Sequence, residues 1–202
     1  MKIIIALDNV DRSQILKFSD DVYEYVDGFK INHTLLDFPE TIANHKELFI
    51  DCKLWDTPNT MKQVVEKIIE KGATMTTIST LNNPEVFHAL KEFSDDIKLL
   101  GVSFLTSWRH KRQSWKDHVK LTESNGFKGM ICSAKDISDI KSNLLKVCPG
   151  ITYGNNNSGQ IRTTTPKEAQ DLGADYIVIG RAVTESQEPI QTLKEIRETL
   201  CR

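Results

Sequence analysis

One pattern constrains this chain more than any other: a short apolar run, a polar turn, then a stretch with apolar residues three and four apart, repeated from end to end. Eight of the apolar runs have strand length: Lys2–Leu7, Gly28–Asn32, Leu48–Leu54, Met75–Ser79, Leu99–Leu105, Gly129–Cys132, Leu145–Cys148 and Tyr176–Ile179. Three of the intervening stretches illustrate the helical spacing. Ser13–Tyr25 carries Ile15, Leu16, Val22 and Tyr25; Asn59–Lys71 carries Val64, Val65, Ile68 and Ile69; Pro84–Phe93 carries Val86, Phe87, Leu90 and Phe93. That spacing gathers apolar side chains on one helical face. Strands that alternate with helices form a parallel sheet. An open doubly wound sheet needs only about five or six strands. Eight near-equal units over 202 residues, about 25 residues each, instead fit a short closed barrel. The expected fold is therefore α/β: a single-domain (β/α)8 TIM barrel over residues 1–202, eight parallel strands inside and helices outside.

Start and stop signals agree with this reading. Asn59 and Asn83 can cap helix starts, and Pro166 suits a first helical position behind Thr165. Gly72, Gly126 and Gly173 each fall between a helical stretch and the next strand, and Gly72-Ala73-Thr74 is echoed by Gly173-Ala174-Asp175. The opening Met1-Lys2-Ile3-Ile4-Ile5 lacks the apolar core and cleavage site of a secretory leader and reads as the first strand. No run is long enough to span a membrane. The net charge of -2 gives no case for nucleic acid or an anionic membrane as partner. Trp108-Arg109-His110-Lys111-Arg112, with Trp115 and Lys116, interleaves basic and aromatic residues, but the patch is short and reads as a solvated helix face. Cys52, Cys132, Cys148 and Cys201 form no C-x-x-C pair, and His33, His45, His88, His110 and His118 show no metal spacing. Cys132 and Cys148 read as buried free thiols, and reduced thiols without a leader point to the cytoplasm.

The chemistry concentrates in Asp51-Cys52-Lys53-Leu54-Trp55-Asp56, at the end of the third strand. Strand side chains alternate faces, so Asp51 and Lys53 are expected to project together into the barrel mouth, with Ile50, Cys52 and Leu54 facing the helices. Lys30 on the second strand and Asp8 after the first share that inward face, and Asp56 opens the third loop. Each alone reads as a structural ion pair at a strand end. Together they read as a site, because buried charges are costly unless paired, and an alternating Lys-Asp array pairs them at the end of the barrel where catalysis occurs. A second, weaker signal is Gly180-Arg181 after the eighth strand with Gln160 after the seventh, the usual position of a phosphate site.

Several motifs then stand in order over nearly the whole chain: Ala6-Leu7-Asp8, Asp51-x-Lys53-x-x-Asp56-x-Pro58-Asn59-Thr60, Leu105-Thr106-Ser107, Pro149-Gly150-Ile151, Gln160-x-Arg162-x-x-Thr165-Pro166 and Ile179-Gly180-Arg181. In these the chain resembles the orotidine 5′-phosphate decarboxylase family, whose specific signature is the second motif. The resemblance implies conversion of orotidine 5′-monophosphate to uridine 5′-monophosphate, the last step of de novo uridylate synthesis, with no metal and no organic cofactor. It implies a catalytic tetrad of Lys30, Asp51, Lys53 and Asp56, with Lys53 protonating C6. It further implies substrate binding by Asp8, Thr57, Thr60, Thr106, Pro149, Gln160, Gly180 and Arg181. The implied assembly is a homodimer in which Asp56, Thr57 and Thr60 reach across the interface. The Asn-rich stretch Gly154–Gly159 is the candidate lid. No phosphoribosyltransferase domain accompanies the barrel, which implies a stand-alone decarboxylase.

The chain departs from the family pattern at Trp55, Thr57, Asn32-His33, Thr152 and the fourth-strand end Thr77-Ile78-Ser79-Thr80. None touches the tetrad. Two other readings stay open. The related sugar-phosphate enzymes, 3-keto-L-gulonate 6-phosphate decarboxylase and hexulose phosphate synthase, share Asp-x-Lys-x-x-Asp but hold Mg²⁺ with a Glu where this chain has Lys30, and a lysine there repels a cation. The other reading is a barrel that binds a phosphorylated ligand without chemistry.

Overall fold

The structure is a computed structural model that describes residues 1–37, 42, 46–103, 115–154 and 162–201. Eight parallel strands close into a barrel in sequence order: β1 (Lys2–Ala6), β2 (Gly28–Asn32), β3 (Glu47–Leu54), β4 (Met75–Ser79), β5 (Lys98–Val102), β6 (Gly129–Ile131), β7 (Leu145–Cys148) and β8 (Tyr176–Ile179). β1 and β8 seal the ring through Lys2↔Tyr176 to Ile5↔Ile179. Outside stand α1 (Ile15–Val22), α2 (Pro58–Glu70), α3 (Pro84–Leu90), α4 (Trp115–Ser124), α5 (Pro166–Asp171), α6 (Arg181–Thr184) and α7 (Pro189–Leu200). All eight expected strands are present. The first and third expected helices are shorter, because their last turns, Tyr23–Tyr25 and Lys91–Phe93, tighten to 3₁₀ geometry.

Strand alternation divides the core in two. Ile4, Ala6, Phe49, Met75, Leu100, Val102, Ile131, Val147, Tyr176 and Val178 fill the barrel interior. Ile3, Ile5, Phe29, Ile31, Leu48, Ile50, Leu99 and Ile177 face outward and pack beneath the helices with Val65, Ile68, Phe87, Leu193 and Ile196. The echoed αβ turns are real: Gly72 and Gly173 adopt φ of 74° and 92°, the left-handed conformation that returns the chain to a strand. Asn83 caps α3 by accepting from Glu85 N–H at 3.3 Å, and Thr165 opens α5 with a reciprocal capping box to Glu168. Asn59 does not cap α2. Thr57 holds that position in extended backbone, because Pro58 suits the first helical residue and moves the start two residues earlier. Cys132 and Cys148 are buried free thiols, as expected, with sulfurs 3.8 Å apart. No helix among the described residues is long and apolar enough to cross a membrane.

Candidate active site

The inward face of the barrel is apolar at mid-height and charged at both ends. At the C-terminal mouth, β2 delivers Lys30, and β3 delivers Asp51 and Lys53, while Asp8 follows β1. Lys30 is the pivot. Its side chain is 9% exposed, its ammonium donates to Asp8 Oδ2, and it lies 3.7 Å from Asp51 Oδ2. Lys53 Nζ donates to the same Asp51 oxygen at 2.7 Å. The mouth thus holds a linear array, Asp8–Lys30–Asp51–Lys53, of alternating sign. Burial pushes the Asp51 carboxyl up. The charges of Lys53 and Lys30 and hydrogen bonds from Lys53 and Thr77 outweigh it and hold the group below the usual carboxylate range. Asp8 Oδ1 is buried without a hydrogen-bond partner among the described residues.

One expectation needs correction. Lys53 is not buried: its side chain is 42% exposed, and Asp56 is exposed as well. The side chains alternate as expected along the end of β3, but its pairing is irregular. The ladder with β4 pairs Ile50 with Thr76 and then Leu54 with Ile78, a bulge that carries Lys53 into left-handed backbone at φ 48°. Cys52 and Leu54 still pack on the helix side with Ile50, as expected, but are only half-buried there.

Asp56 stands apart from the array within the protomer. Its Oδ1 accepts from Thr57 N–H at 2.6 Å, and its own N–H donates to Asn82 Oδ1 at 3.2 Å. Thr57 and Thr60 lie beside it at the start of α2, their hydroxyls 3.1 Å apart. The neighbouring Trp55 is 72% exposed, a large apolar surface on the same loop. Across the mouth, Pro149 follows β7, and Gly180 precedes the short α6 that begins at Arg181. Thr106, Gln160, the lid segment after Gly154 and the basic stretch Trp108–Arg112 lie outside the described residues.

Sequence reasoning missed three supports. Thr77 bonds both Asp51 and the backbone of Lys53. Asn82 ties the β3 and β4 loops by donating to Leu54 O and Ser79 O, each at 2.9 Å. Arg162 forms a two-pronged pair with Asp136, whose side chain is 3% exposed. Arg162 and Asp136 have no sequence proximity to signal the pair. For Thr77 the available signal was two adjacent threonines inside an otherwise apolar strand.

Among the described residues, no three His, Cys, Asp or Glu side chains gather as metal ligands. The Lys30 ammonium stands between the two carboxylates of the array, so its donor set suits an anionic substrate better than a divalent ion.

Known proteins resemble this chain over nearly its whole length. Residues 1–196 match the model of the orotidine 5′-phosphate decarboxylase / HUMPS family. The orotidine 5′-phosphate decarboxylase of Dictyoglomus thermophilum is 30% identical over 98% of this chain and 94% of its own length. That of Aquifex aeolicus is 31% identical over 96% and 95%. Among solved structures, the orotidine 5′-monophosphate decarboxylase of Methanocaldococcus jannaschii, complexed with the inhibitor BMP, superposes with TM-score 0.80 at 20% identity, covering 100% of this chain and 99% of that one. The enzyme of Pyrococcus horikoshii does so with TM-score 0.78 at 23% identity, over 99% of each chain. At those identities the structural likeness speaks to the barrel alone, while the family model and the sequence relatives reach further: the chain belongs to the orotidine 5′-phosphate decarboxylase / HUMPS family.

Proposed function

We propose that this chain decarboxylates orotidine 5′-monophosphate to uridine 5′-monophosphate, as one cytoplasmic barrel domain that works as a homodimer without metal or organic cofactor. The observation that carries the reading is Lys30. It is buried between Asp8 and Asp51, where a Mg²⁺-dependent relative would need a carboxylate. The names of the sequence relatives point the same way.

The reaction breaks the bond between C6 and its carboxylate. Carbon dioxide leaves, and the electron pair stays on C6. The Lys53 ammonium lies next to that carbon, stabilises the developing negative charge and delivers its proton to C6. Its 42% exposure leaves it open to solvent, which returns the proton. Asp51 pairs with the Lys53 ammonium and stands near the departing carboxylate. Asp8 and Lys30 hold the ribose hydroxyls, the unpartnered Asp8 Oδ1 taking one of them. Thr106 and Pro149 contact the pyrimidine side. Gln160, Gly180 and Arg181 grip the phosphate, whose binding energy closes the loop over the site. Asp56, Thr57 and Thr60 serve the partner's site. Asp56 pairs with no described cation in its own chain, and Trp55 offers apolar surface for the contact.

The test is decarboxylation of orotidine 5′-monophosphate followed by ultraviolet absorbance, with a chelator present and with Lys53→Ala alongside. Turnover should survive the chelator and fall at least about a thousandfold in the variant. Folded wild-type protein without turnover refutes the reading. Activity on sugar phosphates that needs Mg²⁺ would establish the rival.

A further inference from the structure

β3 does something unusual at its catalytic end. Between the pairs Ile50↔Thr76 and Leu54↔Ile78 it advances four residues while β4 advances two. The surplus bows the strand, and Lys53 is the one residue other than glycine among those described with positive φ, at 48°. That region is costly for a side chain with a Cβ, so something must hold it there.

Thr77 is placed to do so. The Lys53 N–H, which has left the ladder, donates to Thr77 Oγ1 at 2.8 Å. The same hydroxyl donates to Asp51 Oδ1 at 2.8 Å. A backbone N–H can only donate and an ionised carboxylate can only accept, so a single hydroxyl, with one proton and two lone pairs, satisfies both at once. Asp51 Oδ2 in turn accepts from Lys53 Nζ at 2.7 Å. The contacts close a ring: Lys53 backbone, Thr77 hydroxyl, Asp51 carboxylate, Lys53 ammonium. The ring is anchored in β4, which pairs without interruption with β5 from Met75↔Lys98 to Ser79↔Val102. Thr77 itself is 0% exposed.

We propose that Thr77 is a positioning residue: it holds the left-handed Lys53 and aims Asp51, and so fixes where the ammonium stands. This rests on the reading that Lys53 delivers the proton to C6. Misplacing a reacting group by about 1 Å costs on the order of a hundredfold in rate. Phosphate and ribose contacts lie on other strands, so binding should be nearly untouched.

Thr77→Val keeps the shape and removes both hydrogen bonds, whereas Thr77→Ser keeps both. The valine variant should lose about thirty- to a hundredfold in kcat on orotidine 5′-monophosphate, with KM within about threefold. The serine variant should stay within about fivefold of wild-type kcat. Hydrogen exchange supplies a readout independent of turnover: the Lys53 amide should exchange at least about tenfold faster in Thr77→Val and near the wild-type rate in Thr77→Ser, with Ile78 unchanged in both. A valine variant within twofold of wild-type kcat overturns the proposal. So does a loss of kcat that serine does not restore. Should wild-type protein not turn over at all, the decarboxylase reading fails separately, and an unaltered Lys53 amide in Thr77→Val then overturns the structural role as well. If the valine variant does not fold, Thr77→Ala takes its place against the same criteria.

Discussion

Replacing Glu47 with glutamine should destabilise the barrel at neutral pH, leave kcat alone, and lose its effect as the solution is acidified. Glu47 closes the N-terminal end of the barrel. Its carboxylate accepts from Lys2 Nζ at 3.1 Å, Lys98 Nζ at 3.0 and 3.1 Å, Tyr176 OH at 3.2 Å and Thr74 Oγ1 at 2.6 Å, and its side chain is 12% exposed. Burial pushes the carboxyl up; hydrogen bonds from Thr74, Lys98 and Lys2 and the Lys98 charge override it and bring it down from 4.5 to about 2. A carboxyl lowered by folding stabilises the native state above its unfolded value and ceases to as pH falls through the folded one. The shift corresponds to about 3 kcal/mol at pH 7, of which about 2 kcal/mol is gone by pH 3. Glutamine resembles the protonated acid in shape, so the variant should trail wild type by about 3 kcal/mol at pH 7 and converge on it toward pH 2. For a chain of this size that is roughly 6–12 °C in Tm. Urea unfolding of both proteins from pH 7 to pH 3 measures the difference. Glu47 lies four residues before Asp51 on β3, about 13 Å away, so kcat should not move. A deficit equal at pH 3 and pH 7 would refute the electrostatic assignment, and a parallel loss of kcat would refute the separation of the two ends.

Two further substitutions probe the supports of the site. Asp136→Asn breaks the buried pair with Arg162 and should cost about 3 kcal/mol in thermal or urea unfolding. Arg162 adjoins the stretch in which Thr164 pairs with Gly150 and Thr152 to close the β7 loop, so KM for the nucleotide should rise about tenfold with kcat within threefold in steady-state assays. Unchanged KM would leave the pair with a role in stability alone. Gly28→Ala would place a Cβ 2.3 Å from the carbonyl oxygen of Glu47 and 2.9 Å from Ile4 Cδ1. The isoleucine tip can yield but the backbone cannot, so unfolding should show a loss of at least about 2 kcal/mol; a neutral variant would show that β2 and β3 part easily.

What the sequence revealed and what it hid follow from the range of the forces involved. Strand runs such as Tyr176–Ile179 are legible because burial on both faces demands contiguous apolar residues. The capping box at Thr165 is legible because it is closed within four residues. Asn59 misled because the proline before it, not the asparagine, set the start of α2. Glu47 and Lys98 fall one residue outside the expected strands, which begin at Leu48 and Leu99, though each is the first inward residue of its strand; only barrel closure brings them to Lys2 and Tyr176. The bulge at Lys53 was invisible for a related reason. Alternation is a property of one strand, but a register shift is a property of two, and β4 fixes it from more than twenty residues away. Of the site, Asp8, Lys30, Asp51 and Lys53 were legible because four charges at strand ends lack a bland explanation. Their support from Thr77, Asn82 and Asp136 was not, since a threonine or asparagine on a strand or loop looks the same whatever it bonds.

The two charged ends of the barrel use the same residue types to opposite effect. At the bottom, both Glu47 oxygens are saturated by lysine, tyrosine and threonine donors, and a saturated polar network in a low-dielectric site stabilises and stiffens what it joins. At the mouth, Asp8 Oδ1 is buried without a described partner, Lys53 is half open to solvent, and its backbone is held in an unfavourable region by one threonine. The orphan oxygen and the left-handed backbone each cost folding free energy. All three features acquire a purpose when a polar, anionic ligand fills the mouth: the orphan oxygen gains a hydroxyl, the ammonium gains a negative charge to face, and the strained backbone is already in place when the reaction needs it. A left-handed lysine and an orphan carboxylate oxygen within one charged cluster therefore mark the mouth more sharply than the charges themselves, which both ends share.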